Sequence, residues 1–301
     1  MKRVNSIYLI TRLYNTDDKI RTCELEDFLK SKYKHIETYM PYRDINEDKI
    51  TEKWKKTIFE KDIEALNASD TIIGYWDGTE YDEGIGFEIG YALSKGKNII
   101  ILNSDFLNYT FHNTTDISNY PDPIIEILNM HFIKNVFEMT TSNSFHSDLL
   151  AAKHDLMNDL DFSIIKKNSI KYDRAKNLKY RYYLEYGNSI IYYNIFRDRK
   201  ATDDYLPKRF IEKDFKKYSK TDLEAVISSE EAYIVVTGPE MNVGSSIICG
   251  LCYGLCIPFY LINDRLNTMV AMSGSEMPTN LMIDCACEGY TKIESIFKEI
   301  I

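Results

Sequence analysis

Residues 71–102 read TIIGYWDGTEYDEGIGFEIGYALSKGKNIIIL, and this stretch decides the fold. The runs TIIGYW (71–76) and NIIIL (98–102) are apolar on both faces, which suits strands buried from both sides rather than a half-solvated hairpin. Between them, residues 87–94 continue as a helix in which Phe87, Ile89 and Ala92 are apolar. A buried strand, a helix and a second buried strand form the repeating unit of a parallel sheet covered by helices.

Working outward from that unit, SIYLI (6–10) reads as a further short strand and 23–33 as a helix with apolar residues three and four apart. Residues 36–40 read as a second strand stopped by Pro41, and 50–66 as a long amphipathic helix. On the other side, 124–128 and 131–137 supply one more helix and strand. Residues 142–187 are charged, helical in pattern and rich in tyrosine, and read as a connection. This divides the chain into a first domain over 1–141, the connection over 142–187 and a second domain over 188–301.

The second domain reads as a worn copy of the first. At a constant offset of 160, KDIEALNASDTIIGYWDGTEYDEGIGFEIGYAL faces TDLEAVISSEEAYIVVTGPEMNVGSSIICGLCYGL. Asp62 falls on Asp222, Gly84 on Gly244 and Gly90 on Gly250. Upstream, MPYRD (40–44) resembles YLPKR (205–209), and NSIYLI (5–10) resembles NSIIYY (188–193). The offset is 183 at that first strand, which predicts that the second copy has lost most of its first crossover helix. The expected architecture is α/β: two flavodoxin- or Rossmann-like parallel-sheet domains forming an internal pseudo-dimer.

Composition narrows the function. The 301 residues are 44% hydrophobic and 28% charged, the balance of a globular chain. A net charge of -9 opposes the phosphate backbone, so no nucleic-acid partner is expected. The apolar run near the N-terminus is broken by Thr11 and Arg12, too early for a secretory leader. No stretch approaches the roughly 18 apolar residues of a membrane span, so the expected location is the cytoplasm, with no membrane partner. Six cysteines occur, five of them within the last 53 residues, and Cys249, Cys252 and Cys256 invite a metal reading. Spacings of three, four and seven instead mark one face of a helix, where cysteine behaves as a small buried hydrophobe. No metal and no cofactor is expected.

The chemistry gathers after the strand TIIGYW. Ligands of open parallel α/β sheets collect outside the carboxyl ends of strands, and the loop there carries Asp77, Glu80, Asp82, Glu83 and Glu88 within 12 residues. Gly84 and Gly86 let the backbone approach a ligand closely. An acid in the first turn of a helix is also favoured by the helix dipole alone, and a solvated acidic loop accounts for the others. Spacing by itself leaves both readings open.

The block DEGIGFEIGYALSKGK (82–97) resembles the signature of the nucleoside 2-deoxyribosyltransferase family. Ile7-Tyr8 on the first strand and Asp62 at the end of the long helix extend the resemblance over 6–105. It implies that Glu88 is a nucleophile attacking the anomeric carbon of a nucleoside, with Tyr8 orienting it. Asp62 and Asp82 would stand near the leaving base, one of them protonated to donate to a ring nitrogen. Asp77 and Gly84 would belong to the substrate-binding loop, and a hydrolase acting on a 5′-phosphate would need donors near the sugar, for which Arg12 and Arg43 are the candidates.

At the offset of 160, Asn242 replaces Asp82 and Ile248 replaces Glu88, so the second copy is not expected to catalyse the same reaction. It holds PTNLM (278–282), which resembles the family's Asn-Leu-Met segment, whereas the first half shows no such segment. In the family that Asn crosses a dimer interface to reach the sugar hydroxyl in the neighbouring site. The resemblance thus implies that Asn280 and Met282 complete the first half's site from within one chain; a helix start with Asn as its cap is the competing reading.

The implied function is cleavage of an N-glycosidic bond and transfer of a 2-deoxyribosyl group between nucleobases through a covalent glycosyl-Glu intermediate, in nucleoside salvage. Hydrolysis of a nucleoside or nucleotide by the same Glu88 is the alternative, and a non-catalytic nucleotide-sensing module the second alternative. The expected partners are a small-molecule nucleoside or nucleotide and a free nucleobase, with assembly into a homo-oligomer left open.

Overall fold

The structure, a computed structural model, describes residues 6–12, 16–33, 35–45, 54–76, 81–103, 109–110, 118, 120–128, 131–134, 172–236, 241–263, 269–270, 276–277 and 279–297. The first half runs β1 (Ser6–Ile10), α1 (Thr16–Lys32), β2 (Glu37–Tyr39), α2 (Pro41–Asp44), α3 (Trp54–Ala68), β3 (Thr71–Tyr75), α4 (Glu83–Lys95) and β4 (Asn98–Asn103). A 3-10 turn (Pro123–Ile127) and β5 (His131–Lys134) close it. The five strands are parallel, in the order β2-β1-β3-β4-β5. That is the doubly wound order whose ligand crevice lies between β1 and β3 at their carboxyl ends. Every residue of β3 is buried, as its two-faced apolar run requires.

The second half repeats the plan: β6 (Tyr180–Glu185), α5 (Ile190–Arg199), α6 (Phe215–Ile227), β7 (Ser229–Val236), α7 (Val243–Gly254) and β8 (Phe259–Asn263). Then come the short antiparallel pair β9 (Met269–Val270) and β10 (Glu276–Met277), followed by α8 (Leu281–Ala286), β11 (Gly289–Thr291) and α9 (Ile293–Ile296). Its parallel sheet is ordered β11-β8-β7-β6, and Tyr205 adds a parallel bridge to Tyr183 on the far side of β6. With Tyr205 standing where β2 stands, the two halves share one strand order.

Two expectations about this half are corrected. NSIIYY (188–193) is not its first strand: Ser189 accepts from the Tyr192 amide as an N-cap, and α5 follows. The first strand is β6, inside the stretch 142–187 read as a connection, so the second sheet begins ahead of the boundary at 188. Register fixes the match, since Tyr8 pairs with Ile72 and Tyr183 with Ala232, 160 residues on. Nor is the first crossover helix lost. α5 occupies its place, with 10 residues against the 17 of α1. The helical reading of 142–171 lies outside the described residues.

The halves meet through α4 and α7. A Cβ at Gly90 would fall 1.9 Å from the Ile247 carbonyl oxygen, and a Cβ at Gly250 1.9 Å from the Phe87 carbonyl oxygen. Each contact reappears with the halves exchanged, and only hydrogen in place of a side chain admits so close an approach of backbones. One hydrophobic cluster runs from Tyr8, Phe87 and Ile89 of the first half to Ile247, Ile248 and Leu251 of the second. A separate cluster covers the outer face of each sheet. Cys249 and Cys252 lie in the buried face of α7, and burial pushes both thiols up. Among the described residues, no helix is long and apolar enough to cross a membrane.

Candidate active site

α4 begins where Asp82 caps it, its Oδ1 accepting from the Ile85 amide at 2.9 Å, and it ends at Gly96 in the left-handed region, φ 65°. This start places Gly84 and Glu88 one helical turn apart on one face. Glu88 is 7% exposed, and its Oε1 accepts from the Tyr8 hydroxyl at 2.6 Å. Tyr8, on β1, is fully buried and stacks on Tyr39 of β2, ring centroids 5.3 Å apart. The Tyr39 hydroxyl donates to Asp62 Oδ1 at 3.0 Å. Two tyrosines on neighbouring strands thus hold two carboxylates, one from α4 and one from α3.

Electrostatics ties the cluster together. Burial holds Glu88 well above the usual carboxylate range, and the charges of Asp62 and Asp82 add to the rise while the Tyr8 hydrogen bond opposes it. Burial likewise pushes Asp82 up to about 6, opposed by the amides it caps and by the Arg12 guanidinium. Burial and the neighbouring Glu88 and Asp62 carboxylates keep the Tyr8 phenol protonated as a donor. Crowded carboxyls with displaced protonation are the setting in which one acts as a base or nucleophile and another as an acid.

Of the residues the sequence nominates, Tyr8, Asp62, Asp82 and Glu88 are brought together, with Arg12 beside Asp82 and paired to Asp18 at 3.3 Å. Arg43 is engaged elsewhere, with Glu26 at 2.5 Å, Asp44 at 2.7 Å and the Thr38 carbonyl at 3.0 Å. Asp77 lies outside the described residues. Asn280 arrives from the second half: a Cβ on Gly84 would fall 2.8 Å from its Nδ2. Asn280 is also the cap of α8, its Oδ1 accepting from Met282 N at 2.9 Å, so the helix-cap reading and a place beside Gly84 are compatible. Met282 is buried in the shared core, 5% exposed. Tyr39 escaped the sequence reading, and Glu83, named only as one acid of the loop, was given no role. Tyr39 was within reach, since setting Pro41 of MPYRD on Pro207 of YLPKR pairs it with Tyr205 and Arg43 with Arg209. Glu83 carries no such signal, because its partners come from the other half.

The same place in the second half is closed. Tyr183 and Tyr205 stack as Tyr8 and Tyr39 do, and the Tyr205 hydroxyl donates to Asp222 at 2.7 Å. Ile248 stands at the Glu88 position, and Glu185 of β6 accepts from the Tyr183 hydroxyl instead, at 3.0 Å. Into this space runs Arg209, fully buried, donating through Nε and Nη2 to Asp122 and through Nη1 and Nη2 to Glu185, all at 2.9–3.0 Å. Asp122 belongs to the first half. It caps the 3-10 turn, and a Cβ on Gly244 would fall 2.0 Å from its Oδ2, as Gly84 meets Asn280. The first half therefore does have a counterpart of the 278–282 segment, contrary to expectation; an Asp within PDPII hid it.

The family model described as nucleoside 2-deoxyribosyltransferase matches residues 7–158. A nucleoside deoxyribosyltransferase of Lactobacillus johnsonii is 32% identical over 79 residues, which is 23% of this chain and 53% of that protein. One from Lactobacillus leichmannii is 33% identical over 52 residues, 17% of this chain and 33% of that protein. The chain thus spans about half or less of the length of these relatives. Among solved structures, a 2-deoxyribosyltransferase from Bacillus psychrosaccharolyticus aligns with a TM-score of 0.34 and 18% identity, over 52% of this chain and 93% of that one.

Proposed function

This chain belongs to the nucleoside 2-deoxyribosyltransferase family, and from that premise we propose that it transfers a 2-deoxyribosyl group between nucleobases through an ester on Glu88. The observation that carries the reading is the buried Glu88, oriented by Tyr8 at 2.6 Å between Asp62 and Asp82. A Glu88 oxygen attacks the anomeric carbon as the C–N bond breaks, and the bonding pair leaves with the base. Asp82, the cap of the helix that carries Glu88, hands that base the proton it needs to leave. A ring nitrogen of a second base then attacks the same carbon, its N–H proton passes to Asp82, the ester bond breaks with its pair returning to Glu88, and both carboxyls are restored. Two inversions give retention, as in retaining glycosidases.

The two halves act as an internal pseudo-dimer with one working site. Asn280 Nδ2 has no hydrogen-bond partner among the described residues and is free to donate to a sugar hydroxyl. The second pocket, filled by Arg209 and lacking a carboxylate at position 248, turns over nothing. A second reading, hydrolysis of a nucleotide by the same Glu88, draws on Arg12, which is paired to Asp18 at 3.3 Å and whose charge opposes the rise of Asp82.

The test is a mass spectrum after incubation with a panel of deoxynucleosides and free bases. Swapped nucleosides support transfer, whereas free sugar or sugar phosphate supports hydrolysis. No turnover of any kind would leave a sensing role and end the catalytic reading. With a slow fluorinated deoxynucleoside, the sugar adduct is expected on the peptide containing Glu88 and on no other.

A further inference from the structure

The segment that brings Asn280 to the site does not bind the first half through its own side chain alone. Glu83, the first residue of α4, is 7% exposed, and its carboxylate collects three donors from the second half. Oε1 accepts from the Met241 amide, and Oε2 accepts from Thr279 Oγ1 at 2.9 Å and from the Asn280 amide at 3.3 Å. We propose that Glu83 is a positioning residue that seats the Thr279–Asn280 arm over Gly84, so that the Asn280 amide faces the sugar bound at Glu88.

The exchanged pocket shows what the alternative looks like. There the equivalent arm, carrying Asp122, is held by Arg209 from inside the pocket, and the pocket is full. At the Glu83 position the second half has Val243, whose side chain can accept no hydrogen bond. The first half anchors its arm from outside instead, at the first residue of α4, with no cation inserted between the arm and Glu88 among the described residues. A carboxylate suits the place: it offers two acceptor oxygens to three converging N–H and O–H groups, and its charge meets the positive end of α4. Glutamine would turn an NH2 toward donors on one side, and at least one of the three would lose its acceptor.

The inference rests on the glycosyl-transfer or hydrolysis reading only in its kinetic half. In the full chain, Glu83→Gln, Thr279→Val, Asn280→Ala and the Glu83→Gln/Asn280→Ala pair are compared by the rate of sugar-adduct formation on Glu88 from a fluorinated deoxynucleoside. Amide hydrogen exchange of residues 279–286 is measured alongside. Glu83→Gln is expected to slow adduct formation about tenfold, as the loss of a hydrogen bond to a charged group does, and Thr279→Val by less. In the Asn280→Ala background Glu83→Gln should cost almost nothing further, because both act through one amide. Exchange over 279–286 should quicken in both arm-loosening variants while that of 86–95 stays as in the parent.

Losses that multiply in the double variant, or unchanged rate and exchange in Glu83→Gln, would overturn the assignment. If Glu83→Gln does not fold, Thr279→Val alone carries the same comparison with Asn280→Ala. If the parent protein forms no adduct on Glu88, the catalytic reading fails separately, and exchange decides about Glu83: quickened exchange upholds the seat and unchanged exchange removes it.

Discussion

Arg209→Met should unbalance the second pocket more than any other single change. In the parent, one guanidinium makes two bidentate pairings, to Asp122 and to Glu185, with Asp222 3.5 Å away and every one of these side chains fully buried. Methionine fills much of the arginine's volume but leaves three carboxyls without their cation. Breaking a buried pair by removing one partner costs about 3–5 kcal/mol, because the remaining charge stays out of water. For a chain of this size that is a fall in melting temperature of roughly 6–20 °C at pH 7.5. The carboxyls can escape by taking up protons. Burial already holds Asp122 above its ordinary value and Asp222 near about 6, and without the arginine that lowers them both must rise further. A group whose folded pKa is raised contributes stability below its unfolded pKa and loses it as pH rises through the folded one. The deficit of the variant should therefore be large at pH 7.5 and shrink toward pH 5. Adding Asp122→Asn and Glu185→Gln should return much of the loss at pH 7.5. Paired urea melts at the two pH values read both quantities. A deficit below about 1 kcal/mol at pH 7.5, or one that does not depend on pH, would refute the reasoning from an uncompensated buried charge.

Three further outcomes are expected. Glu88→Gln should abolish adduct formation and raise the melting temperature at pH 8 but not at pH 4. The raised pKa of Glu88 means that the parent loses stability as pH climbs past the unfolded value of about 4.3, and glutamine cannot; a parent-like dependence of melting on pH in the variant would contradict this. The kcat/KM profile should be bell-shaped, since one carboxyl must be ionised and another protonated, and Asp82→Asn should lose one limb of the bell; an intact bell in that variant would remove Asp82 as the acid. Gly90→Val should separate α4 from α7, with a cost of about 3 kcal/mol, the upper part of the overpacking range; a parent-like denaturation midpoint would show that the helices are not in such contact.

The sequence by itself determined what depends on near neighbours along the chain. The apolar runs at 71–76 and 98–102 must be buried, and the glycine-bearing helix between them follows from spacing, so the parallel sheet and the place of Glu88 at its mouth were legible. The offset of 160 carried the same unit into the second half because strand, cap and glycines lie within about 35 consecutive residues there. The first strand of that half was not legible. NSIIYY has the β-branched and aromatic residues of a strand, yet Ser189 caps a helix, while the charged, tyrosine-rich YRYYLE forms the strand because Tyr205 and β7 pair with it. Apart from Asn280, whose crossing the resemblance of PTNLM implied, the contacts between the halves were decided by tertiary structure. Glu83 looks like an acid in a first helical turn until Thr279, Asn280 and Met241 stand against it. Arg209 and Arg43 occupy matching places in sequence, but one is sealed among Asp122, Glu185 and Asp222 and the other is held at the surface by Glu26 and Asp44. Arg209 meets carboxylates 87 and 24 residues away, whereas Arg43 meets Asp44 next to it and Glu26 17 residues away within the same half. A one-dimensional pattern holds no record of that approach, since the burial that fixes each pairing exists only once both sheets have packed.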